Sequence, residues 1–166
     1  MPDQTDPTPA SSADAIGISD DRLLHLRAVG RRAAELSREL FNFPPEKQRA
    51  MFVLGFLHDI GYEYATDQRQ HEHLGGNLLG CMGLDGWQVV HDHGDPDIAD
   101  MSDELIILNI ADMQTDGRGN HVTAEERLAD IASRYGKDSE QFVRATRLTD
   151  NLRSQLAARG KNAETI

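Results

Sequence analysis

The sequence predicts an all-α fold, a bundle of about seven helices. Three observations predict it. Apolar side chains between the two ends of the chain recur at helical spacing. Thr123-Ala-Glu-Glu126 and Asp138-Ser-Glu-Gln141 have the form of capping boxes that open helices. The run from Leu105 to Ile110, a buried strand by composition, has no strand partner elsewhere and is read as helix.

The elements follow in order. Residues 1–18, with Pro2, Pro7, Pro9 and three aspartates, are expected as a disordered tail, because they hold too little apolar surface to offset ordering entropy. Ser19 is placed to cap a first helix, with Asp20 and Asp21 in its first turn where carboxylates suit the dipole. Leu23, Leu24, Val29, Ala33, Leu36 and Leu40 line one face of it. Pro44-Pro45 ends it, and Pro45 suits the first position of a second helix. That helix runs through Met51 to Leu57, apolar on most sides, and is expected to end at Gly61. A third helix is expected over about 71–81, weakened by Gly75-Gly76, and a short fourth over about 84–93. The Leu105 helix begins near Asp100 or Ser102. Thr123 opens a sixth that Gly136 closes, and Asp138 opens the last, ending at Gly160. Residues 19–159 are thus the helical domain and 160–166 a flexible C-terminus.

Composition limits the function. The 166 residues, 39% hydrophobic, have the size of one ordinary domain. With 17 basic and 28 acidic residues the formal charge is −11. A nucleic-acid backbone or an anionic membrane would be repelled, so neither is expected as a partner. A small anion remains possible if a bound metal supplies a local positive centre. One cysteine, Cys81, excludes a disulfide framework and a cysteine zinc cluster. A free thiol, with no membrane span or secretory start, fits a cytoplasmic location.

Seven histidines are a mild excess, and their arrangement says more. His58-Asp59 closes the apolar run Phe52 to Leu57. A carboxylate there is costly unless paired or metal-bound, and imidazole with carboxylate suits a divalent first-row ion. Taken alone, the doublet also fits a helix end carrying a surface His and Asp. His121 and Arg118 read as solvated, Glu125-Glu126 as surface or caps, and Trp87 as core.

His25 on the first helix, Leu57-His58-Asp59-Ile60-Gly61-Tyr62, and Asn109-Ile110-Ala111-Asp112 together resemble the HD-domain superfamily of metal-dependent phosphohydrolases, over roughly residues 20–135. The resemblance implies that His25, His58, Asp59 and Asp112 converge on one metal. His71-Glu-His-Leu-Gly75-Gly-Asn-Leu78 and Val90-His91-Asp92-His93 look like the segments that add a second metal in part of this superfamily. Spacing to Gly75 and Leu78 selects His71 over His73, and spacing from Val90 selects His93 over His91. Asp59 would then be the bridging, catalytic carboxylate. The cofactor implied is one or two divalent first-row ions, Fe, Mn, Co, Ni or Zn.

The activity implied is hydrolysis of a small phosphate ester, a nucleotide or similar molecule, by metal-activated hydroxide. Tyr62 stands where cyclic-dinucleotide phosphodiesterases of the superfamily carry Lys, and no Gly-Tyr-Pro occurs, so that substrate is disfavoured. Two alternatives stay open: a mixed-valent di-iron oxygenase, which uses the same ligand pattern, and a non-catalytic metal-binding module. Of the arginines able to assist, Arg27, Arg31, Arg32, Arg69 and Arg118 cannot be ranked from sequence.

Overall fold

The computed structural model describes residues 18–63 and 65–166. The expected tail over 1–18 lies, except for Ile18, outside the described residues. Among them there are seven α-helices and no sheet: α1 (Asp20–Phe41), α2 (Pro45–Leu57), α3 (His71–Cys81), α4 (Trp87–Asp92), α5 (Asp103–Met113), α6 (Ala124–Tyr135) and α7 (Glu140–Ala158). One isolated antiparallel bridge joins Thr115 and His121. No described helix is long and apolar enough to cross a membrane.

Local chemistry sets most boundaries. The Ser19 hydroxyl accepts from the Arg22 amide at 3.2 Å and opens α1, and Ser102 does the same for Leu105 at the start of α5. Thr123 and Glu126 form the reciprocal capping box of α6. At α7 the expected box shifts by one residue: Ser139, not Asp138, accepts from Phe142. The second helix also ends earlier than expected, at Leu57, and the chain continues through a 3-10 turn, Ile60–Glu63. Gly61 serves that turn rather than capping the helix. A side chain on it would meet the His71 carbonyl, so tertiary contact decides here.

The core forms around α5. Leu105 through Ala111 are all buried, and the helix packs against α1, α2, α4 and α7. A helix covered on every side reads as a continuous apolar run, which is why Leu105–Ile110 imitates a buried strand. Helices α1 and α2 cross with backbones touching at Gly30 and Gly55. A Cβ on Gly55 would lie 2.8 Å from the Gly30 Cα. This close crossing brings His25, early on α1, beside the end of α2. Gly76 likewise lets α3 meet α4, since its Cβ would stand 2.4 Å from the His91 Cα.

The C-terminus departs from the expectation of a loose end. Residues Ala163–Thr165 make a 3-10 turn, the Thr165 carbonyl accepts from the Gln114 side chain, and Ile166 is buried in the core.

Candidate metal centre

Four helix ends and one helix interior supply the six predicted side chains. His25 and Asp112 come from α1 and α5. His58 follows the last residue of α2, Asp59 comes next, His71 opens α3, and His93 follows α4. All four histidines are buried, as is Asp59, while Asp112 is partly open to the cavity.

Asp59 is the centre of the cluster. Its Oδ1 lies 3.1 Å from His71 Nε2, 3.4 Å from His58 Nε2 and 3.6 Å from His93 Nε2. Its Oδ2 lies 3.9 Å from His25 Nε2. Asp112 Oδ1 lies 3.3 Å from His25 Nε2 and 3.6 Å from His58 Nε2. Two trios gather donor atoms tightly enough for an ion: His25, His58 and Asp112, and His58, Asp59 and His93.

The other ring nitrogens explain the orientation. His58 Nδ1 donates to the Gly55 carbonyl at 2.7 Å, His71 Nδ1 to Gln68 at 2.6 Å, and His93 Nδ1 to Val90 at 2.6 Å. Each is the carbonyl three residues earlier, within the turn the histidine ends or follows. His25 Nδ1 donates to the Asp116 carbonyl at 2.9 Å. A carbonyl only accepts, so Nδ1 carries a proton, and each ring when neutral aims the Nε2 lone pair at the carboxylates. Backbone support of this kind is how metal-ligating imidazoles are held.

Lone pairs facing carboxylates repel unless a cation or proton lies between them. His58 Nε2 is buried and has no hydrogen-bond partner, an uncommon state for a buried polar atom. A first-row ion with bonds of about 2.1 Å spaces neighbouring donor atoms by roughly 3.0–3.4 Å, close to most of the separations here. The residues therefore fit a divalent metal.

The charges agree. Burial works to raise the Asp59 pKa, but the His58 charge and hydrogen bonds from His71 and His93 outweigh it and hold the carboxyl well below its ordinary range. Burial opposes ionisation of Asp112 too, and its hydrogen bond with His25 wins. For His25 burial pulls downward, while the Asp112 bond and the charges of Asp112 and Asp59 raise it overall. Burial, then the Asp59 charge, pushes the Tyr62 phenol up to about 12.

His73 and His91 stand apart. Their rings stack at 4.5 Å, His91 meets the edge of Trp87, and its Nδ1 contacts Asp92. His121 is exposed, and Trp87 packs partly buried against the core.

A cavity of about 800 Å3 opens over the cluster. It adds residues that sequence reasoning did not select: Arg22, Arg127 and Arg134. Arg22 Nη1 donates to Asp59 Oδ2 at 2.7 Å, and its guanidinium lies 4.0 Å over the Tyr62 ring, which stacks at 4.0 Å on His71. Helical spacing carried a signal for each. Arg22 is three residues before His25, and Arg127, Ile131 and Arg134 share a face of α6.

A family model described as HD domain matches residues 22–135 of the chain. No curated protein and no solved structure gives a match.

Proposed function

Because the chain belongs to the HD-domain family, we propose that it is a metal-dependent phosphohydrolase acting on a small phosphate ester of the nucleotide class. HD domains are generally metal-dependent hydrolases that bind divalent ions. The observation that carries the reading is the donor set around Asp59, with the buried and unpartnered His58 Nε2 at its heart. His25, His58, Asp59 and Asp112 would hold one ion, and His71 and His93, with Asp59 shared, a second. First-row ions bound there would supply Lewis acidity toward phosphoryl oxygens and acidify water to a nucleophile near neutral pH.

The chain's own residues do the rest. The cavity is lined by five carboxylates, Asp21, Asp59, Glu63, Glu72 and Asp112, against three guanidiniums. An anion is therefore repelled until the two central carboxylates are neutralised. Arg22 already offsets part of the Asp59 charge, and its exposed side can turn to a phosphoryl oxygen. Arg127 and Arg134 line the same cavity from α6 and suit a second anionic or polar group of the substrate. The Tyr62 phenol stays protonated at neutral pH, a donor beside Asp59. The cavity volume suits a small molecule rather than a polymer.

The test is phosphate release from a panel of nucleotides and phosphomonoesters by protein loaded with Mn, Fe, Co, Ni or Zn, with dioxygen uptake followed in parallel. The proposal expects release that requires metal and is lost in Asp59→Ala. Two irons with substrate-dependent dioxygen uptake and no phosphate release would replace it with the oxygenase reading.

A further inference from the structure

Arg27, Arg31, Arg32 and Arg118 did not join the metal cavity. With His121 they line a second cavity of about 480 Å3, between α1 and the loop 114–121. Leu24 and Ala28 contribute its apolar part. Its one carboxylate, Glu35, is engaged by Arg32 at 3.4 Å. Arg32 also reaches Glu39, and its Nε donates to Gln114 Oε1 at 2.9 Å, which anchors the head group at the cavity wall.

Arg27, Arg31 and Arg118 form no ion pair among the described residues, and Arg118 uses only its backbone amide, toward Asp116. Most other arginines of the described residues meet carboxylates, as Arg134 does Asp130 and Arg153 does Glu125, and the two that do not, Arg49 and Arg144, lie outside this cleft. Three unpaired guanidiniums beside a fourth repel one another, and a multivalent anion removes that repulsion. We propose that this cleft is a second anion site, which takes a small polyphosphate, a molecule with two or more linked phosphates. Guanidinium forks match phosphate oxygens two at a time, so several arginines serve more than one phosphate. The volume lies in the range of small-ligand sites. The net charge of −11 disfavours a long nucleic acid on the same residues.

The site is joined to the metal centre through its wall. The loop that presents Arg118 also presents the Asp116 carbonyl that orients His25. The loop tip rests on α1, where a Cβ on Gly119 would stand 2.7 Å from the Leu24 carbonyl oxygen. An anion that ties Arg118 to Arg27 and Arg31 therefore also clamps this loop on α1.

Inorganic tripolyphosphate is the probe. Equilibrium dialysis against the full chain as purified gives bound anion per chain, for wild type, for Asp59→Ala, and for an Arg31→Glu/Arg118→Glu double variant. Arg31 and Arg118 are exposed, so the fold is retained, which circular dichroism checks. The expected result is a tripolyphosphate site kept in Asp59→Ala and weakened about a hundredfold in the double variant. A number of bound anions and an affinity in the folded double variant equal to those of the wild type overturn the proposal, as does loss of all binding in Asp59→Ala. Binding of a short duplex DNA as tight as that of tripolyphosphate also overturns it.

Discussion

Gly61→Ala tests how the fold holds the second half of the cluster. A Cβ at this position would stand 1.8 Å from the His71 carbonyl oxygen and 2.7 Å from the Gly75 amide nitrogen. Carbon and oxygen at van der Waals contact need about 3.5 Å, so roughly 1.7 Å must open between the 3-10 turn and α3. Both obstacles are backbone, and no rotamer change relieves them. Asp59 lies just before this turn and His71 opens α3, and their donor atoms are 3.1 Å apart. A gap of that size separates them. Overpacking of a core costs about 1–3 kcal/mol, and a backbone clash belongs at the upper end. Near 3 kcal/mol, a chain of this length loses roughly 6–12 °C in Tm. Differential scanning calorimetry of Gly61→Ala beside Gly117→Ala measures it, because a Cβ on Gly117 meets nothing within 4 Å. Metal analysis of the same samples should show a deficit in Gly61→Ala alone. If Gly61→Ala melts with Gly117→Ala and keeps the wild-type metal content, the close approach of the 3-10 turn to α3 does not hold the cluster together.

Other outcomes follow from single contacts. Ile166→Ala should cost about 2 kcal/mol in urea unfolding, because the side chain is buried in the core; no loss would mean that the C-terminal turn does not dock in solution. The Asp116 carboxylate accepts from the amides of Arg118 and Asn120 and from the Asn120 side chain. Slight burial pushes its pKa up, the Asn120 and Arg118 bonds outweigh it, and the value is lowered. A depressed carboxylate contributes stability above its unfolded pKa of about 3.9, lost as pH falls through the lower folded value. Hydrogen exchange at Arg118 and Asn120 should therefore be insensitive to this group above about pH 5 and gain an acid-dependent opening below pH 4. Asp116→Asn should remove that acid dependence, and its persistence would assign the effect elsewhere. Thr123→Ala breaks the capping box of α6 and should cost about 1 kcal/mol by thermal unfolding; an unchanged Tm would show that the box adds nothing.

What the sequence discloses is what neighbouring residues decide among themselves. Ser19, Ser102 and Thr123 cap helices with amides three residues away, so their helices start where local chemistry says. Asp138 and Ser139 can both cap, and the choice between them depends on how α7 meets the bundle. The end of α2 depends on the contact of Gly61 with α3, and the course of the last residues on a place for Ile166 in the core. Neither partner is near in sequence. The histidines follow the same division. Through the family resemblance, spacing from Gly75 singles out His71, which faces Asp59, over His73, which stacks on His91 in a separate group. For the arginines, helical spacing discloses a shared face but not the cavity that face lines. Arg22 joins Arg127 and Arg134 in one cavity, and Arg118 joins Arg27 and Arg31 in another, because α1, α6 and the 114–121 loop meet in space.

Asp59 and the five side chains around it, His25, His58, His71, His93 and Asp112, are proposed to hold two first-row ions. Metal content of the chain purified without chelators, with two variants beside it, tests this most directly. The expected content is about two ions per wild-type chain, about one in His71→Ala, and close to none in folded Asp59→Ala, since one carboxylate would serve both ions. A single ion in the wild type, or full retention in Asp59→Ala, would contradict it.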